Sequence, residues 1–363
     1  MFNKKVGRIA AAFMLSGAAQ LGHAEVLPVP EVLKQPSVVV IHPEKSYLLS
    51  VVRAGDRLVA VGENGRVILS DDGAKTWHQA NVPVNVLLTQ VRFVTPKEGW
   101  AIGHLGVVLH TSDGGSNWEV QLDGVKAASL FLDQAQRVVA EKGDQDPDAA
   151  KALSQADFLV QDGPDKPFLT MQVDDAKRIT IFGAFGLALS SPDGGKTWLP
   201  LQAKDFNPGS LHYYGNASRD GIAWVVGEQG MLLRSLENGS YQPVEQPYAG
   251  TLFGVVMNDN AAIAFGLRGN AVRSLDHGQS WQQIDTSTSA SIQSGLVLND
   301  GRILLFAENG QIVMGDKLSN KFQAIDQQLA PAAEAIEIGT NQLLLVGPSG
   351  VQTLSLSAVE SAQ

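Results

Sequence analysis

The stretch that decides the fold is Val61–Trp77, which reads VGENGRVILSDDGAKTW. An apolar run ends in a Glu-Asn-Gly turn, and a second apolar run leads into Ser-Asp-Asp-Gly shortly before the tryptophan. Glycine supplies the positive φ that a tight hairpin turn needs, and a short carboxylate accepts hydrogen bonds from turn amides. The stretch therefore predicts two successive hairpins, with the tryptophan at the start of the last strand.

The same pattern recurs along the chain with a spacing of about forty residues, and one step is about twice as long. Further copies lie at Ile102–Trp118, Phe182–Trp198, Val226–Gln242, Phe265–Trp281 and Phe306–Phe322, and a last copy begins at Val346. Four short strands in each such period are typical of a β-propeller blade. We therefore predict an all-β, seven-bladed β-propeller.

The second turn of the repeat resembles the Asp-box, which is also called the BNR repeat. Its aspartates and tryptophans are Asp72, Trp77, Asp113, Trp118, Asp193, Trp198, Asp276 and Trp281. Because the same residue types recur in several blades, a structural role is favoured over a catalytic or metal-binding one. The adjacent pair Asp71 and Asp72 is suggestive of calcium, but its loop lacks a spaced set of oxygen ligands.

The two ends of the chain predict how the ring closes. After Gly350 the segment Val351–Ser357 supplies one more strand, so the seventh blade lacks its outer strand. The segment Ser37–Ile41 reads SVVVI and precedes the first inner strand, which makes it the natural donor. We expect this N-terminal strand to complete the seventh blade and to remove an exposed sheet edge.

Residues 1–24 have the three-part pattern of a secretory signal peptide. Lys4, Lys5 and Arg8 precede the uncharged run Ile9–Ala19, and small residues lead to a cleavage site after Ala24. The apolar run is much shorter than a membrane-spanning helix requires. We expect residues 25–363 to form a single propeller in an extracytoplasmic space, most simply a periplasm.

The long step of the repeat contains an insertion, at about residues 124–166, between blades two and three. Apolar residues at helical spacing predict one helix over Ser129–Lys142, and Pro147 opens a second segment of the same kind. No glycine turn or Asp-box lies there, so a helical hairpin fits better than an eighth blade. Because it follows a fourth strand, it should rise from the face that carries the turns between second and third strands, here called the tip face.

Several residues of the tip face are candidates for partner binding. They are His104, Leu105, Phe185, Arg268, Arg66 and, on the insertion, Phe131. Exposed apolar side chains at hairpin tips are costly unless something covers them. Two interpretations stay open at this point: the helical hairpin covers these residues, or they dock another protein.

The composition excludes several classes of site. The 363 residues include no cysteine, so disulfides, thiolate metal sites and a cysteine nucleophile are excluded. The net charge of −10 disfavours nucleic acid or anionic lipid as the main partner. The seven histidines are scattered without metal-ligand spacing. We predict no catalytic residue, no metal and no cofactor.

The alternative function is a secreted, sialidase-like Asp-box propeller that binds or hydrolyses glycans. Sialidases share the box but also carry an Arg-Ile-Pro motif, which this sequence lacks. Two carboxylates facing one cavity would suffice for other glycoside hydrolysis, and Glu63, Glu228 and Glu308 keep that alternative open. Their recurrence at one turn position favours a solvated rim.

The repeat as a whole resembles the photosystem II assembly and stability factor family of BNR-repeat propellers. The most similar stretches are Leu88–Phe93 and Gly99–Gly103. The resemblance implies a non-enzymatic seven-bladed propeller that holds a membrane-protein subunit during assembly. The similarity is greatest to the non-photosynthetic bacterial branch, whose members are often encoded beside RND-type exporters of the envelope. It therefore implies a periplasmic scaffold or accessory protein for a membrane complex such as an RND-type exporter, without membrane insertion of its own.

Overall fold

A computed structural model describes residues 28–174, 178–237, 239–259 and 261–356. The predicted signal peptide, residues 1–24, lies outside the described residues. Within the described ranges the chain forms seven antiparallel sheets and two long helices. None of the described helices is both long enough and apolar enough to cross a bilayer.

Each sheet contains strands that are consecutive in the chain. The first four blades comprise β1 (Leu48–Ala54), β2 (Arg57–Gly62), β3 (Val67–Ser70), β4 (His78–Gln79), β5 (Leu88–Phe93), β6 (Gly99–Gly103), β7 (Val108–Thr111), β8 (Glu119–Leu122), β9 (Phe168–Val173), β10 (Ile179–Gly183), β11 (Ala188–Ser191), β12 (Leu199–Pro200), β13 (Tyr213–Arg219), β14 (Ile222–Gly227), β15 (Leu232–Ser235) and β16 (Tyr241–Pro243). The last three comprise β17 (Leu252–Asn258), β18 (Ala261–Gly266), β19 (Ala271–Ser274), β20 (Gln282–Ile284), β21 (Ile292–Val297), β22 (Ile303–Ala307), β23 (Gln311–Gly315), β24 (Gln323–Gln328), β25 (Glu334–Gly339), β26 (Gln342–Gly347) and β27 (Gly350–Ser355).

The sheets are arranged as blades around a ring. The first strands of consecutive blades contact one another, and β1 of the first blade contacts β25 and β26 of the last. The first strand of each blade is therefore innermost. This arrangement confirms the seven-bladed β-propeller.

Seven apolar cores hold the ring together, one between each pair of consecutive blades. The Asp-box tryptophans lie in four of them, each packed toward the preceding blade: Trp77, Trp118, Trp198 and Trp281. They pack between blades because the two faces of each sheet are the apolar surfaces that the ring buries.

The prediction of a closing N-terminal strand is wrong. Among the described residues the seventh blade has three strands, and Ser37–Ile41 pairs with none of them. The Ser37 amide instead donates to Val82 O at 3.0 Å. Two side chains of blade one donate to Val38 O, from Arg66 Nη1 at 2.5 Å and Gln79 Nε2 at 3.1 Å.

Arg66 and Gln79 thus hold Ser37–Ile41 beside blade one. They occupy the Val38 carbonyl, which would otherwise be available to pair with a neighbouring strand. The side chains of Val39 and Ile41 remain 80% and 91% exposed. Blades seven and one meet through side chains instead, with Leu48 and Ile68 packed against Leu344 and Val346. The short 3-10 turn Pro43–Lys45 lies against β27 and leads into β1.

The Asp-box carboxylates are bonded within their own turns. Asp72 accepts hydrogen bonds from the Thr76 amide at 2.9 Å, the Thr76 hydroxyl at 2.6 Å and the Ser70 hydroxyl at 2.9 Å. Asp276 repeats this arrangement with Ser280 and Ser274. Asp113 and Asp193 make equivalent contacts in blades two and three. The repeated box is thus a local device that satisfies the amides of a turn.

These contacts predict loss of stability in acid. The side-chain hydrogen bond from Thr76 leads the effects that lower the pKa of Asp72 to about 2, and the Ser280 hydroxyl leads those on Asp276, also to about 2. Because the folded pKa lies below the ordinary value, the stabilisation is complete above pH of about 4 and is lost as the pH falls toward 2. The double variant Asp72→Asn, Asp276→Asn should have a lower melting temperature than the parent protein at pH 7. Its melting temperature should also fall less than that of the parent between pH 4 and 2.

Thermal unfolding at pH 7, 4 and 2.5 measures this difference. Asp205→Asn is the matched control, because the Asp205 carboxylate accepts no hydrogen bond from any described residue. It should retain the acid dependence of the parent protein. An unchanged pH dependence in the double variant would contradict the proposed effect.

The insertion is a helical hairpin between blades two and three. Its helices are α1 (Gly124–Lys142), capped by Asp123, and α2 (Pro147–Asp162), capped by Asp146. The Asp123 side chain accepts from the Lys126 amide at 2.9 Å, which is why α1 begins five residues earlier than the apolar spacing indicated. Gly124 lies so close to the tip-face glycine Gly106 that a Cβ there would sit 2.6 Å from the Gly124 Cα. The hairpin therefore rises from the tip face.

Candidate functional site at the mouth of the ring

The turns of the tip face share one backbone conformation in the first five blades. A residue other than glycine has a φ of 53–56° and is followed by a glycine with a φ of 64–76°. These residues are Asn64, Leu105, Phe185, Gln229 and Arg268. The following glycine is required, since a Cβ on Gly65 or on Gly269 would lie 2.0 Å from a neighbouring carbonyl oxygen. The turns are therefore fixed by packing, and the residue before each glycine is free to vary.

The glutamates at the tip turns, Glu63, Glu228 and Glu308, each accept a hydrogen bond from a backbone amide. Glu63 accepts from the Tyr47 amide at 3.1 Å, Glu228 from the His212 amide at 2.8 Å and Glu308 from the Ser291 amide at 3.0 Å. Each of these amides belongs to the segment that enters the first strand of the same blade. The His212 amide is the leading cause that lowers the pKa of Glu228. The carboxylates considered for glycoside hydrolysis are thus each bonded within their own blade.

A β-bulge interrupts the first strand of six blades at its tip-side end. The extra residues in these bulges are Leu49, Thr89, Leu169, Tyr214, Phe253 and Gln293, which we call the mouth ring. Five of them are half-buried and Gln293 is exposed. A bulge turns a side chain out of the ordinary alternation of a strand. The innermost strands therefore place a partly apolar ring around the tip-side mouth of the propeller.

One sector of this mouth is lined by four aromatic side chains, which we call the aromatic row. The ring centroids lie 4.6 Å apart between Phe185 and His212, 6.3 Å between His212 and Tyr214, and 5.5 Å between Tyr214 and Phe253. The row runs from the tip of blade three to the mouth ring of blade five. Phe185 is 57% exposed.

Charged groups flank the aromatic row. The Lys166 Nζ lies 5.3 Å from the centroid of the Phe185 ring and 3.2 Å from the Asp162 carboxylate. The His212 Nδ1 lies 3.1 Å from Glu228 Oε1. Burial, followed by the charge of Glu228, raises the pKa of the Tyr214 phenol. These contacts fix the rings in place, which reduces the entropy that a ligand would lose on binding them.

Four of the six residues predicted for partner binding lie on the tips, and the other two, Arg66 and Phe131, are covered by other parts of the chain. Phe185 lies in the aromatic row, and His104 and Arg268 are exposed on the tips of blades two and five. Among the described residues, none forms an ion pair with the Arg268 guanidinium. Leu105 is half-buried against the core between blades one and two.

Arg66 and Phe131 do not belong to a free surface. Arg66 is only 3% exposed, and its guanidinium is bonded to Val38 O and to Gln79 Oε1 at 2.7 Å. Phe131 packs against the core between blades two and three, where the helical hairpin covers the sheet edge. Both side chains are therefore already in contact with other parts of the chain, Arg66 through hydrogen bonds and Phe131 through apolar packing.

His212, Tyr214 and Phe253 are not among the residues that the sequence predicted for partner binding. Successive mouth-ring residues follow the intervals of the repeat to within one residue, so they occupy a single column of the repeat. That column varies in residue type and lies on a strand, whereas most residues predicted for partner binding lie on turns. The recurrence of the column is the signal in the sequence for Tyr214 and Phe253, and His212 lies two residues before Tyr214, outside the column.

The aromatic row offers apolar and aromatic surface to a ligand. The described ranges contain no cluster of three or more histidine, aspartate or glutamate side chains able to hold a metal. Partly exposed aromatic rings bury large apolar area at low entropic cost and are typical of the centres of protein interfaces. The mouth thus suits the apolar side chains of an extended polypeptide.

Comparisons with known proteins agree with this architecture. Residues 43–129 match the sequence model of the family described as photosynthesis system II assembly factor YCF48. No curated protein is significantly similar to the chain in sequence. The matched region spans blades one and two and the start of α1.

Solved structures extend the likeness to the whole ring. YCF48 from Cyanidioschyzon merolae is 14% identical, with a TM-score of 0.62 over 89% of this chain and 99% of that one. YCF48 bound to a D1 peptide is 15% identical, with a TM-score of 0.61 over 91% and 99%. The WD40 repeats of RRP9 are 8% identical, with a TM-score of 0.61 over 88% and 97%. The family match and the shared fold support a YCF48-like propeller with BNR repeats, as the repeat indicated.

Proposed function

We propose that this protein is a non-catalytic binding protein that holds an extended segment of a membrane protein at the tip-side mouth of its propeller. The aromatic row carries the proposal. It is exposed at Phe185, its rings are fixed by their neighbours, and it leads from a hairpin tip to the innermost strands. A related propeller has been solved with a peptide of D1 bound, which supports a peptide as the ligand class.

The finer proposal concerns place and partner. The N-terminal pattern of residues 1–24 supports export, and we propose that the protein works in the periplasm. There it would assist the assembly or operation of an envelope membrane complex such as an RND-type exporter. The absence of cysteine is compatible with an exported fold that is held together by ring closure.

Crosslinking in native envelopes, followed by purification and identification of the bound protein, tests this function. The double variant Phe185→Asp, Phe253→Asp should reduce recovery of the membrane-protein partner at least about tenfold, because it places charge in the centre of an apolar contact. Leu318→Asp is the matched control, since Leu318 is 66% exposed in the turn between β23 and β24, at the opposite end of the blades. Equal recovery with the double variant would contradict the assignment of the mouth.

The sialidase-like alternative makes a separate prediction. A glycoside-hydrolysing propeller would turn over fluorogenic glycosides and lose that activity in Glu228→Gln. Because the Glu228 carboxylate accepts a hydrogen bond from the His212 amide, we expect Glu228→Gln to alter the tip turn. We expect no turnover of fluorogenic glycosides by the parent protein or by this variant.

A further inference from the structure

The helical hairpin carries a second exposed surface with apolar side chains, along α2 and the adjoining end of α1. The inward side of α2 is buried through Ala149, Ala156 and Val160. Other residues of α2, together with Val139 of α1, form a groove of about 340 Å³ whose apolar lining is Val139, Ala150, Leu153 and Phe158. Phe158 is 62% exposed, which is more than any other phenylalanine among the described residues.

The spacing of these residues gives the groove a shape. On α2 the lining follows a helical repeat from Ala150 to Gln161, which corresponds to a length of about 17 Å at 1.5 Å per residue. Val139 of α1 forms the other wall. The lining on α2 alternates apolar side chains with the polar Ser154, Asp157 and Gln161. A groove of this length matches about three turns of another helix.

The charged groups that line the groove are two carboxylates. Asp144 and Asp157 line it, and within the described ranges neither carboxylate accepts a hydrogen bond or forms an ion pair. Two other hairpin carboxylates are paired, Asp148 with Lys204 at 3.5 Å and Asp162 with Lys166 at 3.2 Å. The lining residues include no basic side chain. A ligand for this groove should therefore bring positive charge as well as apolar side chains.

We propose that the α2 groove is a docking site for a basic amphipathic helix of a partner protein. Leucine-sized side chains of that helix would cover Phe158 and Leu153, and lysine or arginine residues would pair with Asp144 and Asp157. An anionic membrane surface fits less well, because the two carboxylates would meet negative charge. The site is separate from the aromatic row and does not depend on the function proposed for the mouth.

A designed peptide tests the proposal. The probe is a fluorescein-labelled Leu/Lys peptide of about 14 residues, about 21 Å long as a helix, with leucines along one face. Its fluorescence anisotropy should rise on titration with the full chain. Two controls are a Leu/Glu peptide of the same pattern and a Leu/Lys peptide of the same composition with the leucines scattered around the helix. Both should bind at least about tenfold more weakly.

Matched variants locate the site. Phe158→Ala and the pair Asp144→Asn, Asp157→Asn should each weaken binding at least about tenfold, whereas Leu318→Ala should leave it unchanged. Leu318 is the control because it is 66% exposed and lies in the turn between β23 and β24, away from both the groove and the mouth. Circular dichroism checks that each variant retains its helices.

Three results would overturn the proposal. The first is equal binding of the scattered Leu/Lys peptide, which would show that binding depends on the net charge of the peptide and not on an apolar face. The second is binding to phosphatidylserine-containing vesicles that Phe158→Ala abolishes, which would make the groove a membrane contact. The third is self-association that Phe158→Ala abolishes, measured by light scattering, which would make a second copy of the chain the occupant. Loss of the envelope partner in the mouth variant would leave the peptide result unaffected, so the two proposals fail independently.

Discussion

Replacing Trp224 with alanine should lower the free energy of unfolding by about 3–5 kcal/mol, the range for large buried aromatic side chains. Trp224 is 1% exposed and lies in the core between blades four and five. Its ring meets the Asp-box tryptophan Trp281 edge to face, with centroids 5.2 Å apart. A cavity there would remove contacts from both blades at once.

Gly278 shows how closely the ring is packed. A Cβ on this Asp-box glycine of blade five would lie 2.0 Å from the Trp224 Cη2. The space beside Trp224 is therefore bounded by backbone, which limits collapse of the cavity and places the cost toward the upper part of the range.

Urea denaturation followed by circular dichroism measures the effect, since tryptophan fluorescence is itself changed by the substitution. Trp224→Phe should cost less, because it keeps part of the buried ring. Leu318→Ala, at an exposed position, should change stability by no more than about 0.5 kcal/mol. A loss below about 1 kcal/mol for Trp224→Ala would show that the core between these blades relaxes freely.

Glu334 is the second position at which we expect a large effect, of about 2–4 kcal/mol for Glu334→Ala. Its Oε2 accepts from the Ser50 hydroxyl at 2.5 Å and from the Val51 amide at 2.8 Å, and its Oε1 lies 3.1 Å from Arg92 Nη2. One carboxylate of blade seven thus bonds to groups of blades one and two. Its removal leaves the buried Ser50 hydroxyl and the Arg92 guanidinium without this acceptor.

The matched variant Glu334→Gln keeps an acceptor oxygen and removes the charge, so its loss of stability should be smaller. Hydrogen exchange gives a second measurement. Because the contact lies where the two ends of the ring meet, Glu334→Ala should increase exchange in β1 and β25 before the middle blades. A uniform increase across all blades would contradict a local role in closure.

Much of the fold could be predicted from Val61–Trp77 and its copies. The turn glycines, the Asp-box carboxylates and the number of blades depend on contacts between residues a few positions apart. A periodic sequence repeats such contacts, and the period itself indicates the architecture. The helical hairpin could be predicted for the same reason, since its apolar spacing and Pro147 are local signals.

The closing strand shows where that reasoning fails. Ser37–Ile41 has strong β propensity, and blade seven has three strands among the described residues, yet Arg66 and Gln79 hold the segment beside blade one. Arg66 was also a surface candidate. Both errors arise from the same contact, which joins residues that no local pattern relates.

The candidate site was predicted only in part. Phe185 and Arg268 are exposed, as their position on hairpin tips indicated. His212, Tyr214 and Phe253 come together only in the folded ring. The bulges in the first strands of blades four and five bring Tyr214 and Phe253 into contact, and His212 lies beside Tyr214. Residue type alone does not show that these rings meet.

The sequence by itself determined the propeller, its seven blades and the chemistry of its turns, because hydrogen bonds over short separations repeat with the chain. The tertiary structure alone decided which side chains are covered and which lie together at the mouth. Ring closure brings residues hundreds of positions apart into contact, as with Ser50 and Glu334, and packing then selects among the contacts that a repeating sequence permits.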